Sequence, residues 1–164
     1  MLSICLMAVS LVLPIDKKFS ESYTSKFLNG MHQQRVSNCM MLVELSQKMN
    51  TNPALVLAIA SHESGFLNNQ VSSAGAMGLM GVMPSLLSPD ERSQKMMAIR
   101  GIEIFNSWLD IAGGSICEAL SKYNAGGRGS CKKGGVGRKY ANLILDRWYK
   151  ICIVWDKEEE CSDY

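Results

Sequence analysis

Apolar residues recur at helical spacing along most of this chain. Val36, Met40 and Val43 within QRVSNCMMLVELSQKM predict a helix over 34–49. Asn52 can cap the next helix and Pro53 suits its first position. From Pro53 to Ala60 the residues are apolar nearly all round, so this helix should run through the core to Ser64, with Gly65 placed to end it. Residues 67–90 are rich in Gly, Ser and Asn and read as loop with one short helix. Helical spacing returns over 91–111 with Met97, Ile99, Ile102, Phe105 and Leu109. Ser115 and Glu118 form an S-x-x-E capping box for a helix that stops at Asn124-Ala125-Gly126-Gly127. A basic, glycine-rich loop follows, RGSCKKGGVGRK, and then a last helix over about 138–151 carrying Tyr140, Leu143, Ile144 and Trp148. No alternation runs long enough for a sheet, and there is no internal repeat. The expectation is one mainly α domain over 34–152.

The ends read differently. Residues 1–14 are apolar and of about the length of a signal-peptide core, too short to span a bilayer as a helix. A small residue suited to cleavage, Ala8 or Ser10, lies inside the run, but no positively charged segment precedes it. A leader is expected, with a buried N-terminal helix as the alternative. Residues 15–33 are polar and mixed, a linker or loose arm, and 153–164 form an acidic tail.

With 164 residues, 47% hydrophobic and 20% charged, the chain has the profile of one folded globular domain rather than a disordered one. A net charge of +2 makes no global demand for nucleic acid, and suits an ordinary surface or an anionic wall equally well. The cations Arg128, Lys132, Lys133, Arg138 and Lys139 lack interleaved aromatics for base stacking, so no nucleic-acid partner is expected. The six cysteines contain no C-x-x-C pair and the only histidines are His32 and His62, so zinc-ligand spacing is absent. In an exported protein the cysteines can form disulfides, though loss of Cys5 with a leader would leave an odd number. Several could equally be small buried apolar residues.

One carboxylate stands out. Glu63 follows Leu55 by about two turns and Ile59 by one, on the same helix face. Burial there disfavours the ionised form, and the negative end of the helix dipole pushes the same way. A carboxyl kept protonated near neutral pH can serve as a general acid toward a departing sugar oxygen. On helix logic alone, a partly exposed Glu at a helix end, paired with a nearby Lys or Arg, is the better reading. His62-Glu63 does not open an H-E-x-x-H zinc motif, because position 66 is Phe.

The residues after Glu63 add to this. Glu63-Ser64-Gly65-Phe66, Ser72, Gly75-Ala76-Met77-Gly78-Leu79-Met80 and Met83-Pro84 resemble the first signature of SLT-type lytic transglycosylases. Ala119-Leu120, Tyr123-Asn124-Ala125-Gly126 resembles the second, and the likeness spans roughly 50–150. It implies a lysozyme-like helical fold related to goose-type lysozyme. It also implies cleavage of the β-1,4 bond between N-acetylmuramic acid and N-acetylglucosamine, with 1,6-anhydro ends and no metal or other cofactor. By the same resemblance Glu63 is the acid and then the base. Ser72 would bond the N-acetyl region, Tyr123 would lie beside the acid, and Asn124 would support that loop. Met80 of the G-L-M run counts with the substrate-binding positions. The partners implied are peptidoglycan glycan strands and a secretion, conjugation or phage assembly, reached by an exported, periplasmic, wall-bound or virion-borne protein without a transmembrane span.

Three positions depart from the family pattern. Gly81 stands where a Gln usually touches the sugar, Leu67-Asn68 replaces Asn-Pro, and Gly127 replaces a Pro. The pair Cys117 and Cys131 brackets the second signature, where a disulfide would steady the loop. A lysozyme using water is the nearest alternative, with Asp90, Glu91, Glu103 or Glu118 as candidate second carboxylate. A wall-binding assembly component without turnover is the other.

Overall fold

The computed structural model describes residues 2–10 and 24–155. These form α1 (Leu2–Ser10), α2 (Thr24–Lys48), α3 (Pro53–Glu63), α4 (Gln94–Ile111), α5 (Ile116–Ala125) and α6 (Arg138–Trp155). Among the described residues there is no strand, only isolated bridges pairing Val71 with Met77, Met77 with Val82 and Ser130 with Gly137. The mainly helical, lysozyme-like single domain is therefore the observed architecture.

Helix α3 is the most deeply buried. It packs on α2 and α6 and touches α1, while α5 joins α6 to α4. Asn52 Oδ1 accepts from Leu55 N at 3.1 Å, and Pro53 opens the first turn. Every residue from Ala54 to Ser61 is buried, which is why this helix shows no polar face in sequence. Around it gather Leu42 and Val43 of α2, Ile102 and Phe105 of α4, Leu120 of α5, and Ile144 and Trp148 of α6.

Several boundaries differ from the sequence reading. Helix α2 begins at Thr24, inside the stretch read as an arm. Lys26, Leu28, Met31, Gln33 and Gln34 are good helix formers, so propensity extends the helix where no apolar stripe marks it. The rest of that arm, and the tail beyond Trp155, lie outside the described residues. Helix α6 runs on past Ile151 to Trp155. In the 67–90 region there are two 3-10 turns, Pro84–Leu86 and Pro89–Arg92, rather than one short helix.

Helix α1 buries Ile4, Cys5, Ala8 and Val9, and Cys5 is disulfide-bonded to Cys39 of α2. The segment expected to be a leader packs here as a helix against the core. Its removal would take four core side chains and release Cys39. No described helix is long and apolar enough to cross a membrane.

The basic loop between α5 and α6 is held firmly. Cys117 and Cys131 form the expected disulfide. The S-x-x-E pair forms only half of a capping box: Ser115 Oγ accepts from Glu118 N at 3.4 Å, but the Glu118 carboxylate turns away to accept from Cys131 N at 2.6 Å. Lys122 Nζ donates to Gly129 O at 3.2 Å. A Cβ at Gly129 or Gly137 would collide with the Ser121 carbonyl, so glycine is what lets this loop lie directly on α5. Cys152 is also disulfide-bonded, and no described cysteine is free.

Candidate active site

Glu63 is the last residue of α3, carried there by the most deeply buried helix of the fold. The turn after it is built from its own short motif. Ser64 is buried, and its Oγ donates to Leu79 O at 3.1 Å while accepting from Phe66 N at 3.1 Å. Gly65 turns the chain at φ +56°, and Arg35 Nη1 holds its carbonyl at 2.6 Å. Phe66 follows at φ +64° with its ring fully buried, and Asn38 Nδ2 donates to its carbonyl at 2.8 Å. A non-glycine residue in the left-handed region persists only where its surroundings over-determine it; here the buried ring and the Asn38 bond do so.

The Ser64–Leu79 bond fixes the segment that forms the other wall. Val82 and Met77 exchange two backbone hydrogen bonds, each 2.8 Å. Met80 O accepts from the Tyr123 hydroxyl at 2.6 Å. Gly81, between them, has φ +64° and packs directly on the Glu63 side chain.

On the opposite side, Tyr140 of α6 donates its hydroxyl to Glu63 Oε1 at 2.6 Å. Its ring is buried and meets His62 edge-on, with centroids 5.2 Å apart. Burial pushes the Glu63 carboxyl above its ordinary value, and the Tyr140 bond opposes this in part. Burial and the adjacent Glu63 charge raise the Tyr123 hydroxyl. The same two causes hold the Tyr140 hydroxyl well above an ordinary phenol, so it stays a donor throughout the working range. His62 is shifted down, first by desolvation and then by Arg147, which also donates to Ser61 Oγ at 2.9 Å. The arrangement is a half-buried carboxyl that holds its proton longer than usual, gripped by one tyrosine and close enough to a second to perturb it.

A sequence profile of the Transglycosylase SLT domain matches residues 40–142, well over half of the chain. The chain belongs to the SLT domain family. Its members are lytic transglycosylases that act on peptidoglycan, which points to action outside the cytoplasm.

Within the SLT domain the other expected site residues fall in different settings. Tyr123 does lie near the acid, but its hydroxyl is spent on Met80 O and its ring meets Phe105 edge-on at 6.1 Å. Met80 is fully buried, against Gly101 of α4, so its side chain serves the core. Ser72 is exposed, and its Oγ accepts from Ala76 N at 3.0 Å, closing the turn that carries Gly75. Asn124 is exposed at a cavity of about 420 Å³ that Gly135, Arg138 and Tyr140 also line. That cavity therefore adjoins Tyr140.

Sequence reasoning missed Tyr140. It counted only as an apolar position of the last helix, and nothing in its local pattern marks a polar role. Three of the four candidates for a second carboxylate are engaged elsewhere: Glu91 accepts from Ser88 N at 2.8 Å, Glu103 pairs with Arg100 at 3.1 Å, and Glu118 serves Cys131, while Asp90 lies in the exposed 3-10 turn Pro89–Arg92. Among the described residues no cluster of three His, Cys, Asp or Glu could hold a metal.

Proposed function

We propose that this SLT domain cleaves the β-1,4 bond between N-acetylmuramic acid and N-acetylglucosamine with Glu63 as sole acid and base. Protonated Glu63 gives its proton to the glycosidic oxygen as the bond to muramic C1 breaks. The resulting carboxylate then takes the proton of the muramic 6-hydroxyl, whose oxygen closes on C1. The products are a 1,6-anhydro end and a free 4-hydroxyl, and Glu63 is protonated again.

The observation that carries this reading is the setting of Glu63: raised by burial, held at 2.6 Å by Tyr140, and fixed to the end of a core helix. Burial is what raises its pKa, and the Tyr140 bond opposes it in part. Transfer to the sugar's own hydroxyl rather than to water is the reaction of the family, whose members are lytic transglycosylases. Ser72 and Asn124, both exposed, are proposed to touch the glycan. The small domain suits an exported enzyme that opens the wall locally for a secretion, conjugation or phage machine.

The test is digestion of purified peptidoglycan by the wild type and by Glu63→Gln, with mass spectrometry of the released muropeptides. Anhydro ends from the wild type alone are expected. Reducing ends from the wild type alone would make the enzyme a lysozyme. Products from the variant at the wild-type rate would remove Glu63 from the chemistry.

A further inference from the structure

The Gly81 position departs from the family pattern, and the geometry gives the departure a purpose. We propose that Gly81 is a positioning residue for Glu63: the volume its missing side chain leaves free is the volume the Glu63 carboxylate occupies. A Cβ built at Gly81 would overlap Glu63 Oε2 and stand 2.8 Å from Cδ and 3.2 Å from Cγ. The carboxylate is thus clamped between the bare Gly81 backbone and the Tyr140 hydroxyl.

Either the loop or the acid must yield to a side chain here, and the bonds decide which. Leu79 O is held by Ser64 Oγ, Met80 O by Tyr123, Gly81 N by Gly78 O at 3.3 Å, and Val82 by both its backbone bonds to Met77. Four consecutive residues are pinned, and Gly81 has no room to retreat. Glu63 Oε2 ends a flexible side chain that the Tyr140 hydroxyl holds only through the other oxygen. A substitution at 81 therefore swings the acid away and leaves the loop in place. Misplacing a reacting group by about 1 Å costs on the order of a hundredfold in rate.

This inference rests on the proposed role of Glu63, and it reverses what the family resemblance alone suggests. If the site merely lacked a sugar contact, Gly81→Gln would restore one and improve turnover. The geometry says that Gly81→Gln, like Gly81→Ala, drives Glu63 off its position and lowers kcat.

The experiment compares wild type, Gly81→Ala and Gly81→Gln by three measurements. These are anhydromuropeptide release against pH, melting temperature, and NMR titration of the 13C-labelled Glu63 carboxyl without substrate. Both variants are expected to lose about a hundredfold in kcat. Melting should fall by only about 2–8 °C, the cost of a side chain in the left-handed region. The Glu63 titration should move down toward an ordinary carboxylate as the group swings into water. Wild-type kcat in either variant with an unmoved titration would overturn the proposal, as would activity lost only in step with unfolding. A wild type that releases no anhydro ends would sink the reading of the reaction, while the titration would still decide what Gly81 does.

Discussion

Replacing Tyr140 by Phe removes one oxygen and leaves the ring against His62. Tyr140 is 9% exposed and its hydroxyl donates to Glu63 Oε1 at 2.6 Å. A hydrogen bond to a charged group contributes about 1.5–3 kcal/mol. In the proposed reaction Glu63 begins protonated and becomes a carboxylate as the sugar bond breaks, so the bond strengthens in the transition state. Its loss should lower kcat by about 10- to 150-fold. The pH profile supplies the second readout. The Tyr140 bond lowers the Glu63 pKa against a larger upward push from burial, so removing it raises that pKa further. The alkaline limb of the profile, where the acid loses its proton, should then move to higher pH even as the plateau drops. Turnover of peptidoglycan across pH, with muropeptides quantified by mass spectrometry, reads both effects. An unchanged plateau, or a limb moving to lower pH, would refute the account of how Glu63 is held.

Other outcomes follow from the same contacts. Glu63→Gln should raise the melting temperature near neutral pH, because a buried carboxylate with a raised pKa costs stability once ionised. Below the ordinary carboxylate value of 4.5 the gain should vanish, and it should grow as pH rises through it and level off above the raised value; calorimetry at several pH values checks this. Ser64→Ala leaves Leu79 O and Phe66 N without their shared partner, a cost of about 1–3 kcal/mol. Denaturant unfolding measures that cost, and turnover should fall further than stability because the 79–82 wall is no longer tied to α3. Replacing Cys117 and Cys131, 14 positions apart, by serines should remove about 3 kcal/mol and loosen the loop beside Tyr140. Thermal melting of this double variant against the wild type, without reductant so that the Cys5–Cys39 and Cys152 disulfides stay closed, reads the first effect, and proteolysis at Lys132 and Lys133 the second.

The periodicity of Pro53–Ala60 was enough to place the central helix, because a segment buried on all sides has to be apolar on all sides. Asn52, Pro53 and Gly65 fixed its ends, and with them the place of Glu63. The start of α2 at Thr24 was hidden because a helix extended by polar formers carries no stripe. At Glu118 the local S-x-x-E pattern was outcompeted by Cys131 N, which the disulfide brings within reach and which no local pattern can foresee. Tyr140 escaped for a related reason: its hydroxyl meets Glu63 across 77 positions of sequence. Met80 was placed among the sugar contacts by its motif, whereas the site uses its carbonyl and the core takes its side chain. Gly81 showed in sequence as a missing side chain, and only the fold shows what fills that space.

The all-round burial of α3 also constrains how this gene can vary in length. Each helical residue advances the chain by 1.5 Å and turns it by about 100°. One codon inserted or deleted between Asn52 and Glu63 would keep the segment apolar and helical, yet would carry the carboxylate a quarter-turn or more away from both Tyr140 and Gly81. The exposed tips at Ser73 and Lys133 carry no such helical register. Length changes in homologous genes should therefore collect in those turns and spare the eleven residues of α3.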